Sequence, residues 1–351
     1  MRFLVFVALL ISQAHAQQWM HIEPGGDVPV PRGNPAAIYD PVAHRLVAFG
    51  GRVPGGELND VWSLDLSAMR WQNITPRRGA APTPRWSHNA VYDPTVHRML
   101  VWSGRRGGMF YNDVWAFDLN EHTWSELVAS DPLPNLRYGT AAIFDPRANE
   151  LVNFAGFTDA GRFDDTWRFD PNSALWNELS VASNPGPRCL HSASYDSQLH
   201  RMLIYGGQRG SSRLGDLWAL DLSGDSWSEL TAATTPPGRT FAASIYETIS
   251  NRFVLYGGDT GGEKSAEVWA FDLAENSWSS LEINGVAPAA RSGAAAVYIE
   301  SENRVLYFGG EAIVGFFNEV WSLDNLANQE TAVQEMGWAR TKSALQPSQG
   351  R

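Results

Sequence analysis

At 351 residues, with 44% hydrophobic residues and 15 tryptophans, the chain has ample material for a large apolar core. Its net charge of −11 argues against nucleic acid as a partner, because phosphate binding relies on clustered positive charge. Only Lys264 and Lys342 among the 27 basic residues are lysines, and the rest are arginines, whose planar forks suit bidentate contact with carboxylates. One cysteine, Cys189, leaves no internal disulfide, so stability must come from packing.

The chain opens on Arg2, a short apolar run from Phe3 to Ile11, and Ala14-His15-Ala16. That order reads as a secretory signal over residues 1–16, so the mature protein is expected to start near Gln17 and to be exported: extracellular, or periplasmic in a bacterium. The apolar run is too short to cross a bilayer as a helix, and no later segment qualifies, so no membrane span is expected. Next comes an isolated strand-like segment, Trp19-Met20-His21-Ile22.

From Arg32 onward one pattern recurs six times. Its clearest mark is a Trp with an acidic residue two positions earlier, at Asp60-Val61-Trp62, Asp113-Val114-Trp115, Asp165-Thr166-Trp167, Asp216-Leu217-Trp218, Glu267-Val268-Trp269 and Glu319-Val320-Trp321. The spacing is about 50 residues, which indicates stacked supersecondary units. Each unit holds four short β-like runs. The first follows an Arg, as in Arg32 before Ala36-Ala37-Ile38-Tyr39. The second ends in paired small residues, as in Leu46-Val47-Ala48-Phe49-Gly50-Gly51. The third carries the marked Trp, and the fourth opens at a second Trp: Trp71, Trp124, Trp176, Trp227 or Trp278. Branched and aromatic residues bounded by Asp, Pro and Gly turns suit antiparallel strands buried on both faces. Two units depart at the glycine pair, with Ser103-Gly104 and Ala155-Gly156, which leaves their local torsions open. Beyond Asp324 the pattern ends, and residues 325–351 are expected to be a partly helical or disordered tail.

The leading Arg, the Gly-Gly, the acid-x-Trp and the second Trp, taken together over residues 17–324, resemble the kelch repeat. That resemblance implies an all-β, six-bladed β-propeller of four-stranded blades around a central channel. The sixth unit lacks a fourth-strand Trp, while Trp19 stands thirteen residues before Arg32, close to the spacing from Trp124 to Arg137. The N-terminal strand is therefore expected to complete the last blade and remove an open edge.

In kelch-like blades the first strand is innermost and its leading Arg lies at one mouth of the channel. Arg32, Arg85, Arg137, Arg188, Arg239 and Arg291 would ring that mouth. They form either an anion cradle or, neutralised by the six acids before the Trp residues, a structural network; pairing is the expectation for most of the ring. The opposite face is monotonous (Tyr39-Asp40-Pro41, Tyr92-Asp93-Pro94, Phe144-Asp145-Pro146), so specificity is expected on the variable side. There, blades one and two offer Arg52 and Arg105 just after the small pair, whereas blades five and six offer Asp259 and Glu311. Trp86 and Tyr138, each following a ring Arg, are suited to stacking or to packing between loops. His88 and His191 share a repeat position near the same mouth. These eight residues are the candidate ligand-binding set. No third ligand accompanies the two histidines, and neither a metal nor a cofactor is expected.

Two functions from different classes fit. One is a secreted, monomeric module that binds a protein or a glycan through the loop face. The other rests on resemblance to periplasmic sialic-acid isomerases with kelch-like propellers, and would use Glu311, Asp259 or His191 as acid or base. The ligand set of a galactose-oxidase-type copper site and the iron motif of plant specifier proteins are both missing from the sequence.

Overall fold

Each repeat folds into one blade of antiparallel strands, and in the first five these follow chain order from the inside outward. In the first blade these are Ala36–Asp40, Arg45–Val53, Gly56–Asp65 and Arg70–Asn73. Five more blades begin at Asn89–Asp93, Ala141–Asp145, Ser192–Asp196, Ala243–Glu247 and Ala295–Ile299. The first strands of neighbouring blades touch one another around the axis, and the sheets form a six-bladed β-propeller. This computed structural model describes residues 16–327. The expected signal sequence, apart from Ala16, and nearly all of the expected tail lie outside the described residues. Among the described residues no helix is long and apolar enough to cross a membrane.

The core is not one mass but six seams, each between two neighbouring blades. Alternation along the second strand explains why. Val47 and Phe49 pack with Met99, Val101 and Phe117 of the second blade, while Leu46 and Ala48 pack with Leu306 and Phe308 of the sixth. Side chains of a strand point alternately to opposite faces, so a strand packed on both sides reads as one continuous apolar run. The other four seams repeat the arrangement.

One aromatic pair recurs in every seam: the fourth-strand Trp against the aromatic just before the small pair in the previous blade's second strand. Ring centroids are 5.0 Å apart for Trp71 and Phe308, 5.0 Å for Trp124 and Phe49, and 4.4 Å for Trp176 and Trp102. They are 4.8 Å apart for Trp227 and Phe154 and 5.3 Å for Trp278 and Tyr205. Trp19 supplies the sixth, 5.3 Å from Tyr256. Its strand, Gln18–Ile22, lies antiparallel to Val320–Asp324 with Gln18 opposite Asp324 and Ile22 opposite Val320. The N-terminal strand thus completes the last blade, as its Trp implied. Packing also runs slightly past Asp324, since Leu326 and Ala327 are buried and the Asn303 side chain brackets Ala327.

The departures from Gly-Gly keep the repeat's backbone. Ser103 and Ala155 hold φ of 62° and 57°, beside 61° at Gly50 and 70° at Gly206. That left-handed conformation costs a non-glycine residue roughly 1–2 kcal/mol, and the surrounding blade contacts impose it.

Removing the closing tryptophan tests the closure. Trp19→Ala should cost about 3–5 kcal/mol, as for other buried Trp truncations, whereas Met20→Ala on the exposed face of the same strand should change stability by less than about 0.5 kcal/mol. Urea unfolding of the two variants beside the wild type measures the difference.

Candidate functional site

The ring arginines are buried and fully engaged. Each guanidinium meets the acid before its own blade's Trp: Arg32 with Asp60, Arg85 with Asp113, Arg137 with Asp165, Arg188 with Asp216, Arg239 with Glu267 and Arg291 with Glu319, at 2.6–2.9 Å. The four Asp partners accept from both Nη atoms, and the two Glu partners from Nη2 alone. Each Nη1 also donates to the carbonyl of the first small residue of the pair at 3.0–3.1 Å. Each Nε donates to the carbonyl two residues back. The indole N–H of the marked Trp donates to the same acid, at 2.6 Å for Trp62 and 2.8 Å for Trp218. The anion-cradle alternative is therefore overturned for this ring, because each charge is already paired with an acid of its own blade. Burial alone would push the Asp216 carboxyl up in pKa, but hydrogen bonds and charge from Arg188, with the Trp218 N–H, hold it below the usual range. Glu267 and Glu319 are held low in the same way, against burial, by the indole of their own Trp together with their ring Arg.

Above this ring each blade presents a row of three residues, joined by main-chain bridges. The residue after the ring Arg pairs with the residue after the small pair: Gly33 with Arg52, Trp86 with Arg105, Tyr138 with Phe157, Cys189 with Gln208, Thr240 with Asp259 and Ser292 with Glu311. The second residue then pairs outward with Glu57, Phe110, Arg162, Arg213, Lys264 or Phe316 in turn. The sequence reading found the first two positions and missed the third. A signal existed, since every third member lies five residues beyond the second.

The rows divide the mouth into two kinds of surface. On one side Arg52 forms an ion pair with Glu311, Nε lying 3.0 Å from Oε2, and Lys264 reaches Asp259 at 3.1 Å and Glu311 at 3.5 Å. Burial would raise the pKa of Asp259, but the Gly261 N–H, Lys264 and Arg213 outweigh it and hold the carboxyl low. On the other side aromatics alternate with guanidiniums. Arg52 lies 4.5 Å from the Trp86 ring centre and Arg105 lies 5.2 Å from that of Tyr138. Tyr138 in turn packs on Trp86, Phe110 and Phe157.

Trp86 also reaches Phe241 of the opposite blade, with centroids 6.3 Å apart. Phe241 and Leu190 hold positive φ (54° and 61°) in a chain of main-chain hydrogen bonds that runs Leu190 to Gly139, Phe241 to Leu190 and Gly293 to Phe241. Beneath lies a channel of about 210 Å³ lined largely by alanines of the first strands, the small side chains that six converging strands require.

Six of the eight candidate residues, Arg52, Trp86, Arg105, Tyr138, Asp259 and Glu311, thus meet in the rows. The remaining two lie lower. His88 and His191 are buried against Phe49 and Phe154 of the preceding blades, with ring centroids 5.0 and 5.5 Å apart, and their ring nitrogens find no hydrogen-bond partner among the described residues. Burial, reinforced by Arg85 and Arg188, drives both imidazoles down to about 3. They are neutral at physiological pH and line the channel beneath the rows.

Comparison with known proteins agrees with this geometry. The model of the KLHDC2/KLHL20/DRC7 kelch-repeats domain matches residues 5–184, 120–244 and 231–346. Adagio protein 3 of Arabidopsis thaliana is 29% identical over 340 residues, covering 90% of this chain and 52% of that protein. The flagellar outer-arm dynein alpha chain of Chlamydomonas reinhardtii is 28% identical over 82% of this chain and 7% of its own length. Acyl-CoA-binding domain-containing protein 4 of Arabidopsis thaliana is 27% identical, covering 74% of this chain and 40% of that protein. The chain therefore spans about half or less of each of these relatives.

Asp216→Asn leaves the buried Arg188 charge without its counterion and should cost about 3–5 kcal/mol at neutral pH. Because the folded carboxyl titrates below its unfolded value, its stabilisation is complete above roughly pH 4 and disappears as pH falls through the folded value. Urea midpoints at pH 7 and pH 3 should accordingly show a smaller acid loss in the Asn variant than in the wild type.

Proposed function

The chain belongs to the kelch-repeat family, and on that premise we propose that it is a secreted, monomeric binding module whose mouth rows grip a protein partner. The observation that carries this reading is the distribution of variation. Everything that holds the propeller together is repeated six times, whereas the rows differ in every blade. A scaffold that is uniform below and individual above suits recognition. Exposed parts of Trp86, Tyr138 and Phe110 beside Arg52 and Arg105 match the aromatic and arginine anchors on which interfaces depend. Secretion rests on Arg2, the apolar run to Ile11 and Ala14-His15-Ala16.

Binding is preferred over sugar isomerisation because each acid–base candidate has another occupation. Glu311 is held by Arg52 and Lys264, Asp259 by Lys264, and His191 is a buried neutral ring. A general base needs access and a pKa near the working pH; the Asp259 carboxyl is held low, His191 is buried and neutral, and Glu311 is tied by two cations.

The test compares partners captured by the wild type, by a Trp86→Ser/Tyr138→Ser double variant and by Val42→Ser on the opposite face, where Val42 is 71% exposed. Capture should fall at least tenfold with the double variant and persist with Val42→Ser, while Val42→Ser unfolds like the wild type to within about 0.5 kcal/mol and the double variant, though less stable, still unfolds in one cooperative transition well above the assay temperature. Retained capture by the double variant would contradict the reading. N-terminal sequencing of exported protein should begin near Gln17.

A further inference from the structure

Three side chains that line the channel are buried and polar yet have nothing to bond to. Both ring nitrogens of His88, both of His191 and the amide nitrogen of Asn34 find no hydrogen-bond partner among the described residues. The nearest main chain, of Phe49 or Phe154, counters part of the fall in each imidazole pKa without meeting either nitrogen in hydrogen-bond geometry. Other polar groups of the same wall are settled. The Asn89 amide donates to the Thr140 carbonyl at 3.2 Å, and Thr140 Oγ1 lies 3.2 Å from Ser103 Oγ. A buried polar group without a partner is costly and calls for an explanation. Asn34 is also firmly placed. Its backbone is left-handed with φ of 52°, its N–H donates to the Gly293 carbonyl at 2.9 Å, and a Cβ on Gly293 would fall 2.4 Å from its Oδ1.

The lining departs from the repeat so as to give the channel two unlike walls. Three positions after the ring Arg, blades two to four carry His88, Thr140 and His191, where blades five and six carry Ala242 and Ala294. Among the described residues no charged side chain lines the channel, and both imidazoles are neutral at physiological pH. An ion inside would therefore lack a counter-charge, which excludes it on cost. A neutral imidazole offers one N–H and one lone pair, while an amide nitrogen only donates. The three together call for a group that both donates and accepts, as a hydroxyl does. Water meets that need on the polar wall, but a buried water needs roughly two to four polar partners, and the alanine wall offers no side-chain partner. Carbon-bound hydrogens suit that wall instead.

We propose that the channel is a binding site for a small neutral polyol, whose hydroxyls bond to Asn34, His88 and His191 while its carbons lie against Ala242 and Ala294. The channel volume of about 210 Å³ leaves room for several water-sized groups. This site lies beneath the rows and does not depend on what they bind.

Long-range proton–nitrogen NMR of the histidine rings in the full chain tests it, with separate titrations of glycerol, erythritol and xylitol at pH 7. Dioxane, which accepts hydrogen bonds but has no hydroxyl, is the control. The two signals are assigned by their loss in His88→Gln and His191→Gln. Both should shift saturably with at least one polyol and not with dioxane. The rings of His44, His97 and His200, which face Glu302, Asp40 and Asp145, should stay fixed. Asn34→Gly keeps the left-handed backbone without the amide and should weaken the response about tenfold, in keeping with the loss of one buried hydrogen bond. The Trp86→Ser/Tyr138→Ser variant should respond like the wild type. Absence of a saturable shift with all three polyols, an equal drift of every histidine, or an undiminished response in Asn34→Gly would overturn the site.

Discussion

A buried arginine paired with an acid on its own blade, repeated six times, is the constraint on which the rest of this propeller depends. The side chain joins three strands of one blade: its own approach to the first strand, a carbonyl of the small pair in the second, and the acid beside the marked Trp in the third. The acid also takes the indole N–H of the marked Trp, which explains the fixed two-residue offset. The backbone of the same arginine reaches the next sheet. Its carbonyl accepts the N–H of the second glycine of the preceding blade, from Gly51 to Arg85 at 3.0 Å and around the ring to Gly310 and Arg32 at 2.9 Å. Blade order, blade pitch and ring closure thus share one residue type. Buried ion pairs contribute little net stability but are expensive to break, so their role here is to fix geometry.

Full neutralisation of the ring has a functional consequence. Six cations at a channel mouth would otherwise dominate any ligand that approached. With their charge spent, the uneven charge of the mouth lies in the rows above, where blades differ. The pairs of Arg52 with Glu311 and Lys264 with Asp259 brace one side, and the aromatic side carries the surplus of guanidiniums. Trp86 and Phe241 meet across the axis above the alanine-lined channel.

Much of this could be read from residue order because repetition averages out local ambiguity. The six-bladed fold, the closing strand at Trp19 and the pairing of ring arginines all follow from markers at fixed offsets. What escaped were contacts between repeats. Nothing in the spacing says that Arg52 of the first blade meets Glu311 of the sixth, because that contact exists only once the ring has closed. The third row members sit past hairpin tips where no apolar period remains to follow. His88 and His191 share a repeat position near the mouth, and the structure sets them below the rows, lining the channel and packed on Phe49 and Phe154. Their burial depends on the neighbouring blade, which no single repeat discloses.

Amide hydrogen exchange at the second glycine of each small pair tests the central claim most directly. Gly51, Gly104, Gly156, Gly207, Gly258 and Gly310 each donate across a blade boundary to a ring-arginine carbonyl. If the arginine clamp unites the blades, all six amides should exchange together, only through global unfolding, and slow to the same extent as the second-strand core. Exchange of Gly310 by local opening, well ahead of the other five, would mean that the ring is not closed by this device and would contradict the account.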